Sequence, residues 1–131
     1  MRVVLDTNVI VAAFATRGLC AEVFEVCVSA HTVIISEHII AEIGNALLNK
    51  IKLPKVIVGD LLDYLRDTAE IVKPALIDKS MCRDENDLPI IGTAVKGQAE
   101  FIVTGDSDLL QIKKYHGIEI VTPREFWDHL R

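Results

Sequence analysis

The sequence predicts an α/β protein built around a mostly parallel sheet. Short continuous apolar runs, typical of strands buried on both faces, alternate along the chain with segments whose apolar residues recur at helical spacing. Two of the runs lead to carboxylates. The first is followed directly by Asp6, and a later one, residues 101–103, is followed by Asp106 after two intervening residues. Ligands bind at the carboxyl edge of an open α/β sheet, so that edge is the expected functional site.

The first third of the chain predicts two strands and two helices. Strand one spans residues 2–5, and a helix begins at Thr7 or Asn8, both good capping residues, and runs through Phe14. Arg17 and Gly18 interrupt the helical pattern, and a second helix covers about 19–29. A second strand follows at 33–35.

The middle third predicts two helices and a short strand. Ser36 is placed to cap the first helix, whose apolar stripe is Ile39, Ile40, Ile43, Leu47 and Ile51. Pro54 marks a boundary, and the next helix runs over about 55–69. Its inward face is predicted to hold Val56, Leu61, Leu62, Leu65 and Ala69. Residues 71–72 are expected to form a short strand.

The last third begins with a polar connection over 74–86. Asp87 then caps or opens a helix that tolerates Pro89 in its first turn and ends near Gly97. A strand at 101–103, a helical turn from about 107 and a strand at 118–121 follow. Pro123 opens a last helix that ends at Leu130.

Composition indicates one soluble, cytoplasmic domain spanning 1–131. The chain has 131 residues, half of them hydrophobic, which suits a domain with a substantial core. No apolar run approaches the ~18 residues of a membrane span, and the chain does not start with a signal peptide pattern. Its three cysteines form no C-x-x-C pair and are expected to be reduced core thiols.

The net charge of −5 restricts the function. A protein that binds nucleic acid through phosphate contacts alone should be basic. Therefore either the ligand is not a nucleic acid, or the acidic residues are concentrated in a site that a metal neutralises.

The candidate site residues are carboxylates. Taken singly, each has an ordinary role: an aspartate at a strand-to-helix turn is often only a cap, and a glutamate on a helix is usually solvated. Several of them, however, are expected at one sheet edge, where they would repel each other unless a divalent cation were bound. Oxygen-only ligands favour Mg²⁺ or Mn²⁺, and metals held in this way activate water for attack on phosphorus. The set is Asp6, Glu42, Asp84, Asp87, Asp106 and Asp108.

The ordered motifs resemble the PIN domain over essentially the whole chain. They are the Asp6-Thr7-Asn8 turn, Glu42 within a helix, the Asp84–Asp87 segment and the Thr104–Asp108 segment. The closing residues 120–126 resemble the VapC-like toxin components of toxin–antitoxin pairs. This resemblance implies a three-layer α/β/α sandwich with about five strands and a metal-dependent endoribonuclease activity.

The resemblance also assigns roles. Asp6, Glu42, Asp87 and Asp106 match the family's acidic quartet, which would be catalytic and hold Mg²⁺ or Mn²⁺. Asp108 matches a frequent fifth metal ligand, and Asn8 and Thr104 match polar positions that order the site. Asp84 matches an acid seen in this subgroup. Pro89 departs from the usual pattern and is expected to shift Asp87 slightly.

Basic residues provide weaker candidates. Arg17 and Arg83 adjoin the acidic motifs and are the candidates for contact with substrate phosphate. His38 and Glu42 have the i, i+4 spacing of metal ligands, but no other histidine completes a zinc motif.

The leading prediction is an endoribonuclease that is the toxin of a type II toxin–antitoxin pair, with RNA as substrate. An antitoxin protein and a homodimer are the partners that the resemblance implies, and no membrane is expected. One rival is a phosphatase, because residues 6–9 partly match D-x-D-x-[TV], with Asn8 in place of the second aspartate. The other is a catalytically weak PIN-like module that binds a protein or RNA.

Overall fold

The computed structural model describes residues 1–130, with helices and strands alternating along the chain. Two 3₁₀ turns, Lys79–Met81 and Glu85–Asp87, interrupt the connection over residues 72–87. The other elements are, in order, β1 (Arg2–Leu5), α1 (Thr7–Ala15), α2 (Leu19–Ala30), β2 (Thr32–Ile35), α3 (Glu37–Asn49), α4 (Lys55–Thr68), β3 (Glu70–Ile71), α5 (Leu88–Lys96), β4 (Phe101–Val103), α6 (Ser107–Leu110), β5 (Lys114–Tyr115), β6 (Ile118–Val121) and α7 (Pro123–His129).

The sheet has the strand order β3-β2-β1-β4-β6-β5, and every pairing except β5 with β6 is parallel. Val4 of β1 lies between Ile34 of β2 and Ile102 of β4. Helix α5 packs on these three central strands, while α1 packs on both α2 and α3, and α4 packs on α3. The predicted α/β sandwich with a mostly parallel sheet is therefore confirmed.

The predicted strand count was one too low. The structure has six strands because the two-residue strand β5 runs antiparallel beside β6, and a pairing so short leaves no apolar run in the sequence. Gly117, with a φ of 82°, lies in the turn that connects them.

Two predicted inward positions were also wrong. Val56 is 74% exposed, and the inward residue of that turn of α4 is Val58. Ile51 is 41% exposed because α3 ends at Asn49, before the helical stripe reaches it. Ile51 thus lies beyond its helix, whereas Val56 lies on the outward side of a turn that packs through Val58.

The core lies where the central strands meet the helices. Val3, Val4 and Leu5 are fully buried, as expected for a strand covered on both faces. The stripe of α3 is buried as far as Leu47. Each such side chain stabilises the fold by about 1.5–3 kcal/mol relative to an exposed position.

Helix α5 approaches its neighbours closely at two glycines. A Cβ on Gly92 would lie 2.3 Å from the carbonyl oxygen of Ala75, and one on Gly97 would lie 2.4 Å from Cγ2 of Ile34. The N–H of Ala75 donates to the carbonyl of Gly92 at 3.0 Å, so the segment after β3 is attached to α5. This contact holds the connection that leads to Asp87.

The carboxyl ends of three strands are joined by backbone hydrogen bonds. The N–H of Asp6, directly after β1, donates to Val103 at the end of β4, and the N–H of Thr104 donates to Val121 at the end of β6, both at 2.9 Å. Polar residues thus leave neighbouring strands at one edge. None of the helices within residues 1–130 is long and apolar enough to cross a bilayer.

Candidate active site

Asp6 lies at the centre of the carboxyl edge and is only 6% exposed. Its Oδ1 accepts a hydrogen bond from the N–H of Thr7 at 2.8 Å, and its Oδ2 accepts one from the hydroxyl of Thr104 at 2.7 Å. Burial nevertheless raises the pKa of Asp6, and the charges of Asp106 and Glu42 raise it further, while the two hydrogen bonds act in the opposite direction. A buried carboxylate of this kind is stabilised by a nearby cation.

Thr104 links two of the candidate carboxylates. It is fully buried at the end of β4, and while its hydroxyl donates to Asp6 it accepts a 3.0 Å hydrogen bond from the N–H of Asp106. Asp106 caps α6, with its Oδ2 accepting from the N–H of Leu109 at 3.1 Å. One threonine therefore sets the relative position of the aspartates that follow β1 and β4.

Glu42 reaches the same edge from α3 and is held by a residue that the sequence analysis did not single out. Its Oε1 accepts a 2.9 Å hydrogen bond from the hydroxyl of Thr7. Nε2 of His38 lies 3.5 Å from the same oxygen, as the i, i+4 spacing predicts. The signal for Thr7 was its place between Asp6 and Asn8, but only the packing of α1 on α3 shows which carboxylate its hydroxyl reaches.

Asp87 is the last residue of a 3₁₀ turn and immediately precedes α5, where Pro89 occupies the first turn without breaking the helix. Its pKa is raised to about 7, first by burial, then by a hydrogen bond to Asp106, and also by the negative charges of Asp106, Asp84 and Asp6. Without a metal, Asp87 thus tends to hold a proton up to about pH 7. A cation at this position would replace that proton.

Asp84 and Asp108 adjoin Asp87 rather than Asp6. One carboxylate oxygen from each of Asp84, Asp87 and Asp108 lies within 4.8 Å of the others, which is close enough for a single ion. Asp84 is exposed, and its Oδ1 accepts from the N–H of Asn86 at 2.9 Å. Asp87 therefore belongs both to this group and to the buried group around Asp6.

A cleft of about 300 Å³ opens at this edge, and the four carboxylates of the predicted quartet line it together. Asp84 and the exposed Asn8 also line it. Thr104 does not line it but donates its hydroxyl hydrogen bond to Asp6, which does. Arg17 and Arg83 are exposed and do not line it. Within residues 1–130, the cation that does line the cleft is Lys50. The complete lining is Asp6, Thr7, Asn8, Glu42, Asn45, Ala46, Lys50, Asp84, Asn86, Asp87, Ile90 and Asp106.

The donor atoms of the cleft fit a hard divalent cation. The charged donors facing one another are carboxylate oxygens, the ligands that Mg²⁺ and Mn²⁺ prefer. The nearest thiol, Cys82, lies 3.8 Å from Oδ2 of Asp87, and burial raises its pKa, so it remains a protonated donor to that carboxylate. Burial, and after it the neighbouring carboxylates, raise the pKa values of Asp6 and Asp87, so both side chains carry their charge at a cost in the metal-free cleft.

Two solved structures have the same fold. One is the VapBC2 complex from Rickettsia felis bound to a DNA fragment from its promoter, in which a chain 18% identical to this one superimposes with a TM-score of 0.61, over 92% of this chain and 97% of that one. The other is VapBC-1 from nontypeable Haemophilus influenzae, with 16% identity and a TM-score of 0.64, over 95% of this chain and 99% of that one. At such identities the likeness is one of fold.

Sequence comparison identifies the family. No curated protein matches the chain. The family model of the PIN domain, however, matches residues 2–108, a stretch that includes every carboxylate described above. The strand order, the acidic cleft and this match agree, and the chain belongs to the PIN domain family.

Proposed function

We propose that the protein is a Mg²⁺- or Mn²⁺-dependent endoribonuclease in which Asp6, Glu42, Asp87 and Asp106 hold the metal. Membership of the PIN domain family, a family of nucleases, supports hydrolysis of phosphodiesters. The observation that carries the proposal is the convergence of four carboxylates from separate elements in one cleft, with the pKa of Asp87 raised to about 7. The carboxylates of such a cluster repel one another, and a bound divalent cation reduces that repulsion.

When bound, the metal would supply an activated water and stabilise the leaving oxygen at phosphorus. The chain's own residues provide the positioning. Thr104 orients Asp6 and Asp106 with a single hydroxyl, and Thr7 orients Glu42 through its side chain and Asp6 through its N–H. Asp108, beside Asp84 and Asp87, is placed to hold a second ion or to complete the coordination of the first.

The biological role that we propose is that of a toxin neutralised by an antitoxin protein. The two solved structures described above are VapBC complexes, which supports a protein partner for this chain also. On α4 and just before it, Ile51, Val56, Ile57 and Tyr64 expose large apolar surfaces. An antitoxin would cover such a surface and place a basic side chain among the carboxylates. A homodimer, implied by the family resemblance, is proposed with it.

The test is cleavage of a labelled structured RNA by the wild type and by Asp6→Asn, each with Mg²⁺, Mn²⁺ or EDTA. Asp60→Asn, an exposed carboxylate on α4, is the matched control for the loss of one charge. We expect metal-dependent cutting by the wild type and the control, and at least a hundredfold slower cutting by Asp6→Asn.

Calorimetric titration with Mn²⁺ separates the alternatives. Cutting by Asp6→Asn at the wild-type rate would contradict the proposed site. If the wild type neither cut RNA nor bound Mn²⁺, the chain would instead be a PIN-like module that binds a protein or RNA. Circular dichroism of each variant checks that the fold is intact.

A further inference from the structure

The two sides of the acidic cleft carry different charge. On one side the connection before α5 contributes Asp84 and Asn86, an acid and an amide. On the other side α3 contributes Asn45, Ala46 and Lys50 beyond the metal-binding Glu42. A polyanion entering the cleft is therefore repelled from one wall and attracted to the other, apart from any bound metal.

Lys50 is free to contact a ligand. The ion pairs of residues 1–130 occupy Arg2, His38 and Arg66 and leave the exposed Lys50 without a carboxylate partner. Its backbone N–H donates to the carbonyl of Ala46 at 2.9 Å as the C-cap of α3, and a cation is favoured at this end of a helix.

The spacing along α3 places Lys50 beside the metal-binding carboxylates and not among them. Eight residues separate it from Glu42, a rise of about 12 Å along the axis. Lys50 nevertheless lines the same cleft as Glu42. A cation in the cleft but beyond the carboxylates suits a phosphate other than the one being cleaved.

Asn45 lies between Glu42 and Lys50 on this wall and presents a donor. The amide nitrogen of Asn49 donates to Oδ1 of Asn45, so the acceptor of Asn45 is occupied and its NH₂ remains available. A donor amide followed by an ammonium suits phosphate oxygens, which only accept hydrogen bonds.

We propose that Lys50, beside the amide of Asn45, binds the phosphate adjacent to the scissile one and directs a single RNA strand along α3. This inference rests on the proposed function, since it assumes that RNA is the substrate. It assigns to Lys50 the contact with substrate phosphate that the sequence predicted for Arg17 and Arg83, both of which lie outside the cleft. Lys50 contacts the substrate and not the reacting atoms, so its loss affects binding more than turnover.

The experiment compares Lys50→Gln and Lys50→Arg with Lys55→Gln, which removes an equal charge from an exposed position at the start of α4, outside the cleft. Binding of a fluorescent single-stranded RNA is measured by anisotropy in the Asp6→Asn background, so that no cutting occurs, over a range of salt concentrations. Cleavage kinetics are measured with Asp6 intact.

We expect Lys50→Gln to weaken RNA binding and raise KM about tenfold, with kcat changed less than twofold. The slope of log K against log salt should fall by about 0.7, the value for one phosphate contact on a single strand. Lys50→Arg should restore most of the affinity because it keeps the charge. Lys55→Gln should bind like the wild type.

A substrate with one neutral methylphosphonate linkage locates the contact. Once the cleavage position is mapped, the neutral linkage is placed next to the scissile bond, on either side in turn. At one of the two positions, Lys50→Gln should cause no further loss, because the phosphate that it binds is already neutral.

Two results would overturn the inference. The first is RNA binding by Lys50→Gln with the affinity and salt slope of Lys55→Gln. The second is a full additional loss from Lys50→Gln on both methylphosphonate substrates. If the wild type neither bound nor cut RNA, the proposed function would fail, and this inference would fail with it. Measurements on the wild type, without any Lys50 variant, are enough to identify that result.

Discussion

At the scale of single residues, the site depends on hydroxyl groups that hold carboxylates in place. Thr104 is the clearest case, since one buried hydroxyl donates to Asp6 and accepts from the N–H of Asp106. Thr7 performs the related task for Glu42. Neither side chain is charged, but without the Thr104 hydroxyl the buried Asp6 would lose a donor that lowers its pKa.

Thr104→Val keeps the shape of this side chain and removes its hydrogen bonds. We expect the free energy of unfolding at pH 7 to fall by about 1–3 kcal/mol, because Asp6 and the N–H of Asp106 each lose a partner in a buried position. Mn²⁺ affinity should fall by about tenfold or more, as for other residues that orient ligands. Urea unfolding in EDTA and calorimetric titration measure the two effects.

Thr104→Ser is the control, since it restores the hydroxyl and removes only a methyl group. It should recover most of the Mn²⁺ affinity that the valine variant loses. Equal metal affinity for the valine variant and the wild type would show that Thr104 does not position the site.

At the scale of elements, α5 connects the packing of the fold to the position of Asp87. Its close approach to the segment after β3 requires a residue without a Cβ at position 92, where Ala75 is in contact. The apolar pattern of α5 predicted a helix, but it contained no sign of this backbone contact.

Gly92→Ala should therefore destabilise the protein even though alanine is the better helix former. The new methyl group would lie 2.3 Å from the carbonyl oxygen of Ala75, so either α5 or the segment must move, at a cost of about 1–3 kcal/mol. Because Asp87 begins this helix, Mn²⁺ affinity should fall in parallel. Thermal and urea unfolding test the first effect, and calorimetry tests the second.

Gly59→Ala is the matched control. Gly59 lies in α4 with open space around its Cα, so alanine there should stabilise the protein by up to about 1 kcal/mol through helix propensity alone. If the two substitutions had the same effect on stability, the contact at Gly92 would not constrain the fold.

At the scale of the whole molecule, the clustered acids make stability depend on pH and on metal. The unfolded chain releases the proton of Asp87 near the ordinary aspartate pKa of 3.8, whereas the folded, metal-free protein holds it until about pH 7. The folded state therefore binds more protons between these values, and stability is lost as the pH rises through 7.

We expect the metal-free wild type to lose stability relative to Asp87→Asn between pH 5.5 and pH 8, as measured by urea unfolding in EDTA. The asparagine variant cannot ionise at this position, so the difference between the two proteins isolates Asp87. Apparent Mn²⁺ affinity of the wild type should rise over the same interval, because the metal displaces the proton. A wild type that gains stability relative to the variant at pH 8 would contradict the raised pKa.

The sequence by itself determined the order of the elements, the parallel sheet and the identity of the acids that face one edge. These follow from local patterns: apolar runs with period two or none, stripes with helical spacing, and caps such as Ser36, which accepts from the N–H of Ile39. The same patterns overextended the inward faces at Val56 and Ile51 and missed the two-residue strand β5, because a local pattern does not reveal where packing stops.

Only the tertiary structure decided which side chains meet. The contact of Thr7 with Glu42 joins residues 35 positions apart, and that of Thr104 with Asp6 joins residues 98 apart. The approach of Asp84 and Asp108 to Asp87, and the position of Lys50 in the cleft with Arg17 and Arg83 outside it, are likewise products of how helices pack around the sheet. The physical reason is that hydrogen bonds and charge interactions depend on distances of a few ångströms, which strand register and helix packing set and local sequence does not.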